Sequence, residues 1–308
     1  MNKMQAIVKQ SEGLDDFKLS KVPIPEISGN EMLVRVKAIG VGIHDGYFLP
    51  ENIQYPYPIG IEASGIIEKV GGRVTGFKQG ESIAFISAMQ VKGGTWAEYA
   101  VVSGDSLIIP IPKGMSFVEA AAIPVAGNAA LKALHALRLK ENDTLFIAGA
   151  SGAIGTLAIQ IATQRGVIVA GSASEKNHEY MRALGAKKVV DYRDLDWTNQ
   201  IKEWMPSGID AVMAIQPNTG STSMTLLKEG GRIVAVSGDQ LSPNQKIIIE
   251  PFPYLEDVTQ ELVGLMRQIL TKKIKLTIEA VYPFEKGIEA LQKTRTRHAR
   301  GKLVITMP

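Results

Sequence analysis

The stretch Leu145–Ala162, LFIAGASGAIGTLAIQIA, runs from an apolar segment through three spaced glycines into residues that favour helix. This order reads as a strand, a tight turn and a helix. Gly149 permits the turn, Gly152 lets backbone approach a ligand's pyrophosphate, and Gly155 lets the helix pack closely on the strand. The helix start then offers unpaired N–H groups and the positive end of its dipole to phosphate. Ser151, Ala153 and Ile154 complete the candidate phosphate cradle. The G-x-x-G-x-x-G spacing is looser than G-x-G-x-x-G, and a plain strand-to-helix turn satisfies it too.

The flanking chain decides between these. Strand-like TLFIAGA, VIVAGSA, KKVVDY, IDAVMAI and RIVAVSG alternate with helix-like GTLAIQIATQRG, SEKNHEYMRALGA, DWTNQIKEWM and STSMTLLKEGG. Such alternation predicts βαβ units and a doubly wound parallel sheet, the α/β context in which a glycine turn binds a dinucleotide. Before it, QAIVKQ, EMLVRVKAIGV, ASGIIEKVGGRV and SLIIPIP are short apolar or alternating runs between Gly and Pro, a mostly β texture. SFVEAAAIPVAGNAALKALHAL turns helical, with Ser116 as N-cap and Glu119 three residues on as its capping-box partner. After a loop and the amphipathic DVTQELVGLMRQILTKK, β texture returns in IKLTIEAVYPF and KLVITM, and this tail is expected to rejoin the first sheet.

The end of the second strand of the alternating unit selects the dinucleotide. An Asp or Glu there accepts from the adenosine ribose of NAD. This chain has Gly171 and Ser172 instead, followed by Ser174 and Lys176, which supply donors and a positive charge to a 2′-phosphate. NADP(H) is therefore expected over NAD(H). Glu175 reads either as a ribose acceptor or as a solvated residue of the next helix.

Composition narrows the classes. The chain has 308 residues, 45% hydrophobic and 21% charged, enough for two ordinary domains. Its 34 basic and 31 acidic residues leave a net charge of +3 with no basic run, so nucleic acid is not an expected partner. No stretch reaches the ~18 apolar residues of a membrane span. With no signal-like N-terminus either, the expectation is a cytoplasmic protein without a membrane partner. There is no cysteine, hence no disulfide and no zinc site built on thiolate. His44, His135, His178 and His298 are isolated, and no metal is assigned.

EMLVRVKAIGVGIHDGYF, YPIGIEASGIIEKVG, GGTWAEYAVV, EAAAIPVAGNAALKAL, the glycine loop, MRALGAKKVVDYR, KEGGRIVAVSG and HARGKLVITM occur in that order over nearly the whole chain. Together they resemble the medium-chain dehydrogenase/reductases, and among them the zinc-independent quinone oxidoreductases. The resemblance implies an α/β protein: a GroES-like, mostly β catalytic domain over 1–122 and 272–308, a Rossmann NADP-binding domain over 123–271, and a cofactor in the cleft. Zinc-dependent relatives place Cys and His where Gly42 and Ile61 stand here, and neither of these binds zinc. Without that Lewis acid the expected reaction is hydride transfer to a small-molecule electron acceptor, a quinone or activated enone.

By the same resemblance Tyr47 would orient or protonate the acceptor, and Asp45 would hold its loop. Asn128 would lie near the nicotinamide carboxamide, Tyr192 against the adenosine 2′-phosphate, and Ser237 and Lys302 near the cofactor. A homodimer joined at a Rossmann sheet edge, at Gly231–Gly238, is implied as well. Two other readings compete. Tyr282 and Lys286 match a short-chain dehydrogenase's Y-x-x-x-K, but Pro283 between them argues for a turn. A nucleotide-binding sensor with little turnover is the other, kept open by Gly42 and Ala129 at motif positions that are polar in relatives.

Overall fold

The computed structural model describes all residues except 1, 14 and 244. The chain forms two units. One comprises Met1–Val125, Thr259–Thr271 and Ile278–Pro308, the other Ala126–Val258 with Lys272–Thr277.

In the second unit, β9 (Thr144–Ala148) is buried along its whole length, as a run of five apolar-compatible residues flanked on both sides must be. Around it lie β10 (Ile168–Ser172), β11 (Lys188–Val190), β12 (Ile209–Ala214), β13 (Leu227–Ala235) and β14 (Ile248–Glu250). Among the described residues they pair in parallel in the order β11-β10-β9-β12-β13-β14. That is the doubly wound Rossmann order, whose reversal beside β9 opens a crevice at the carboxyl ends of the strands. The connecting helices are α3 (Ala153–Gln164), α4 (His178–Ala183), α5 (Trp197–Trp204) and α6 (Gly220–Met224). Phe146 of β9 stacks on Trp197 of α5 with centroids 5.4 Å apart.

Two sequence expectations need correction in this unit. SEKNHEYMRALGA is one 3₁₀ turn, Glu175–Asn177, followed by the short α4. More consequentially, β14 falls where a loop is expected, so Gly231–Gly238 contributes to an inner strand and is not the sheet edge. Three residues are too few for a period to show. The strand is held by register with β13 (Arg232↔Ile248) and by an Arg232–Glu250 ion pair.

In the first unit, β1 (Lys3–Lys9), β2 (Phe17–Pro23) and β4 (Tyr57–Pro58) form a small antiparallel sheet. The strands of a larger sheet are β3 (Glu31–Val41), β5 (Glu62–Val70), β6 (Ser82–Ile86), β7 (Tyr99–Ser103), β8 (Ile108–Pro110), β15 (Ile278–Pro283) and β16 (Lys302–Thr306). Their order is β15-β16-β3-β5-β6-β8, with β7 also paired to β3. The last strand rejoins the first sheet as expected, antiparallel to β3 with Leu303 opposite Val41. Ile7, Phe85, Trp96 and Phe284 fill the core. α7 (Thr259–Leu270) and α8 (Gly287–Arg295) belong to this unit, whereas α2 (Pro124–Leu137) passes into the second after Val125.

Where a single return at residue 272 is expected, the chain changes unit three times, after Val258, Thr271 and Thr277. α7 groups with the first unit, and Lys272–Thr277 groups with the second. The Gln160 amide fastens that segment, donating to the Lys275 carbonyl at 3.0 Å and accepting its N–H at 2.8 Å.

α1 (Phe117–Ala121) begins at the capping box read from the sequence. Ser116 Oγ accepts the Glu119 N–H at 3.2 Å, and the Glu119 carboxylate accepts the Ser116 N–H at 2.9 Å. Ser116→Ala is expected to cost about 1 kcal/mol in urea unfolding, with Ser116→Asp close to wild type.

Candidate functional site

The glycine turn has three distinct steric roles. Gly149 has φ +85°, and a Cβ there would stand 2.9 Å from Gln216 Cγ. At Gly155 a Cβ would meet the Ala150 carbonyl oxygen at 2.5 Å, so α3 can lie this close only with glycine. Gly152 differs: it is the N-cap of α3 with φ −79°, and a Cβ would find nothing nearer than the Gly149 oxygen at 3.8 Å. Its backbone tolerates any residue, and the space in front of it holds no protein. The N–H groups of Ala153, Ile154 and Gly155 lie ahead of the first intrahelical bond, from the Thr156 N–H to the Gly152 carbonyl at 3.0 Å. No acid stands in that first turn. An anion fits there by geometry and by dipole.

Serines brace the turn. Ser172 Oγ, at the end of β10, accepts the Gly149 N–H at 3.4 Å. The buried Asn177 amide donates to Ser151 Oγ at 3.2 Å and to Ser174 Oγ at 3.3 Å. Nothing in the sequence singles out Asn177, because its partner Ser151 arrives from the glycine turn.

Beyond β10, Glu175 and Lys176 are exposed, and the Glu175 N–H donates to Asp191 Oδ2 at 3.1 Å. Asp191 is gripped by the Arg193 guanidinium, which holds its carboxyl well below the usual range. Tyr192 is exposed, with that guanidinium 6.0 Å from its ring centre. Together Glu175, His178, Asp191, Arg193 and Gln200 line a cavity of about 470 Å³. Asn128, in α2, has a buried Oδ1 with no hydrogen-bond partner among the described residues. A buried amide oxygen left open is costly unless a ligand donates to it. Ser237, after β13, is half-buried and its N–H donates to the Ala214 carbonyl at 3.2 Å. Open helix N-terminus, orphaned amide oxygen and absent carboxylate at Gly171–Ser172 together suit a dinucleotide phosphate and carboxamide.

The first unit brings together residues from four distant segments. Asp45, in the turn after β3, is buried, and its Oδ2 accepts the Gly42 N–H at 2.7 Å and the Trp96 Nε1–H at 3.2 Å. Burial dominates its titration and raises it to about 7, with the nearby Glu62 charge adding to that and the two hydrogen bonds and Lys302 opposing it. Asp45 thus pins the turn to Gly42 and Trp96. Tyr47 on the same turn is 53% exposed, and its N–H donates to the His44 carbonyl at 3.1 Å.

Lys302 is only 5% exposed, its ammonium paired with the Glu62 carboxylate, itself 1% exposed. A buried ammonium needs an anion, and Glu62 is the one in reach. The other Glu62 oxygen accepts the Val125 N–H at 2.8 Å at the start of α2. Sequence reasoning misses Glu62: in IGIEASG it looks like any strand-start glutamate. Tyr282 lies in β15 and Lys286 in a 3₁₀ turn, so the short-chain pattern has no shared helix.

Among the described residues, no group of three or more His, Cys, Asp or Glu is placed to hold a metal, and no helix is long and apolar enough to cross a membrane.

Comparison with known proteins bears on both units. Residues 28–113 match the model of the alcohol dehydrogenase GroES-like domain, and residues 184–305 that of the zinc-binding dehydrogenase. The chain is 30% identical over 310 residues to the quinone oxidoreductase of Mus musculus, covering 93% of this chain and 92% of the relative. It is 28% identical to the chloroplastic NADPH-dependent alkenal/one oxidoreductase of Arabidopsis thaliana, covering 95% and 76%. Among solved structures, the quinone oxidoreductase from Coxiella burnetii superposes with a TM-score of 0.87 at 27% identity over all of both chains.

Proposed function

From a chain that belongs to the medium-chain dehydrogenase/reductases, of the quinone oxidoreductase type, we propose a zinc-independent, NADPH-dependent oxidoreductase that reduces a quinone or activated enone. The observation that carries the reading is the cradle at Gly152: empty space over an acid-free helix start, between two glycines that sterics demand. The N–H groups of Ala153, Ile154 and Gly155 take the phosphates, while Lys176 and Tyr192 meet the 2′-phosphate. Asn128 Oδ1 accepts from the carboxamide. NADPH, when bound, supplies a hydride. That hydride and one proton from water convert a quinone to its hydroquinone, or an enone to the saturated ketone. Tyr47 donates to the acceptor oxygen, and Asp45 keeps its turn in place. Gly42 and Ile61 put no zinc ligand where relatives with the metal have one, and the absence of cysteine leaves no thiolate to replace them.

The test is loss of reduced-nicotinamide absorbance with chelator-treated protein, NADPH or NADH, and a panel of quinones, enones and aldehydes. NADPH-dependent turnover of quinones or enones that survives chelation is the expected result. Turnover dependent on added zinc, or an equal response to NADH, overturns the corresponding part. Tight NADPH binding without turnover on any acceptor favours the sensor instead. Gly152→Val gives a cleaner test of the cradle: its melting temperature should fall by no more than a few degrees, valine being the poorer N-cap, while NADPH affinity falls at least roughly tenfold, about 1.4 kcal/mol. Unchanged affinity would remove the phosphates from this turn.

The homodimer is proposed at the outer strand β14 in place of Gly231–Gly238, since among the described residues β14 is one of the two outermost strands of that sheet. Sedimentation as a monomer at micromolar concentration would exclude it.

A further inference from the structure

The chain around the start of α2 supplies that helix with no cap. Pro124 opens it without an N–H, the residues from Ala120 to Ile123 have no side-chain acceptor, and the first turn holds no acid. The cap comes instead from β5, 63 positions away, where Glu62 Oε2 accepts the Val125 N–H at 2.8 Å. Its carboxylate also sets a negative charge at the positive end of the helix dipole. Glu62 is buried, and its other oxygen is held by the Lys302 ammonium. With both oxygens engaged, the side chain cannot turn away from the helix as a surface cap can.

Room for this carboxylate is built into the sheet. Gly40 of β3 pairs with Glu62, and a Cβ there would stand 2.8 Å from Glu62 Cγ and 2.7 Å from Glu62 Cδ, besides meeting the Ala121 carbonyl oxygen. Two residues further along β5, on the same face, the buried Ser64 Oγ donates to the Phe117 carbonyl at 2.7 Å. One face of β5 thus commits two buried polar side chains to the backbones of α1 and α2. Asn128 follows Val125 by three residues in the same helix, which places the two side chains as neighbours about 5–6 Å apart at Cβ. Its Oδ1 is the buried acceptor that has no partner among the described residues.

Resting on the proposed nucleotide site, we infer that Glu62 is a positioning residue for the cofactor: by capping α2 from β5 it sets where the first turn of that helix stands, and with it Asn128 Oδ1, the acceptor for the nicotinamide carboxamide. A hydrogen bond weakens steeply once it is misaligned, so a first turn released from Glu62 costs the carboxamide contact while the phosphate contacts at Gly152 stay as they are.

The test compares the affinity for NADPH with that for 2′,5′-ADP, which has the adenosine and its 2′-phosphate but no nicotinamide. Two proteins are titrated with each by calorimetry: Glu62→Gln/Lys302→Met, whose amide oxygen can still accept the Val125 N–H, and Glu62→Met/Lys302→Met, which has no acceptor to offer. Both lack the buried ions, so whatever Lys302 itself contributes cancels between them. The second should bind NADPH roughly five- to tenfold more weakly than the first, the worth of one hydrogen bond, and 2′,5′-ADP equally well. Adding Asn128→Ala to both should close the gap for NADPH. A fold merely loosened would weaken both ligands, so equal losses, no loss, or a gap that survives Asn128→Ala would overturn the inference. If a melting curve shows that the variant without an acceptor does not fold, Glu62→Asp takes its place. It keeps an anion for Lys302 but is one methylene too short to reach Val125 as well, and it should show the same selective loss against wild type. Wild-type protein that binds neither ligand removes the nucleotide site and this inference with it. Wild-type protein that binds NADPH without turnover removes only the reductase, and the two affinities still decide the role of Glu62.

Discussion

Lys302→Met is expected to lower the free energy of unfolding by about 3–5 kcal/mol at pH 7. Lys302 and Glu62 are both almost fully buried, and each is the other's counter-ion. Removing the ammonium leaves a carboxylate in the interior with, among the described residues, the Val125 N–H to satisfy it. The expense lies in the stranded charge more than in the lost pair. The double variant Glu62→Gln/Lys302→Met should therefore recover most of the loss, because a neutral amide can keep the Val125 hydrogen bond without a counter-ion. Urea unfolding of the two single variants and the double decides it. A loss under about 1 kcal/mol in Lys302→Met would mean that water reaches Glu62 or that the pair is open in solution.

The second large effect is a dependence of stability on pH that Asp45 creates. Its folded titration lies at about 7, against 3.8 for the ordinary group, with burial as the main cause. The native state therefore holds this proton more tightly than the unfolded chain does. The stabilisation is complete below pH 4 and is lost as pH rises through 7, a contribution on the order of 4 kcal/mol in full. An amide at this position carries no such proton, so Asp45→Asn should gain roughly 2–3 kcal/mol relative to wild type between pH 5 and pH 7.5. Carboxylates held low, such as Asp191, Asp210 and Asp239, act in the opposite direction at acid pH but are common to both proteins. Denaturant midpoints at the two pH values isolate Asp45, and parallel curves for the two proteins would contradict its burial as an acid. Lys302 lowers the Asp45 titration, so the two sites should be non-additive, with Lys302→Met costing more at pH 8 than at pH 6.

The cluster behind both predictions is only half visible in the sequence. Asp45 and Lys302 stand out by resemblance, yet the resemblance directs Lys302 to the cofactor and does not mark Glu62 at all. Residues 45, 62, 96 and 302 carry no mutual spacing. β5 presents Glu62 and β16 presents Lys302 on the two sides of β3, and only that pairing brings the charges together. Likewise, β14 has no period to read, and its existence depends on the strand beside it.

What the amino-acid order determined alone are the features whose interactions span a few residues. The three glycines around Ser151 declare a strand-to-helix turn, the alternation of strand and helix implies a parallel sheet, and Ser116 with Glu119 closes a helix start within one turn. The absence of cysteine excludes a thiolate zinc site by composition, while Gly42 and Ile61 matter only through the family resemblance. The tertiary structure alone decided which charges are buried, which strand forms the sheet edge and which aromatic rings stay in water. The physical reason is range: helix caps and glycine turns are settled by neighbours one to four positions away, whereas burial, ion pairing and the pKa of Asp45 are set by segments up to 257 positions distant, as Lys302 is from Asp45.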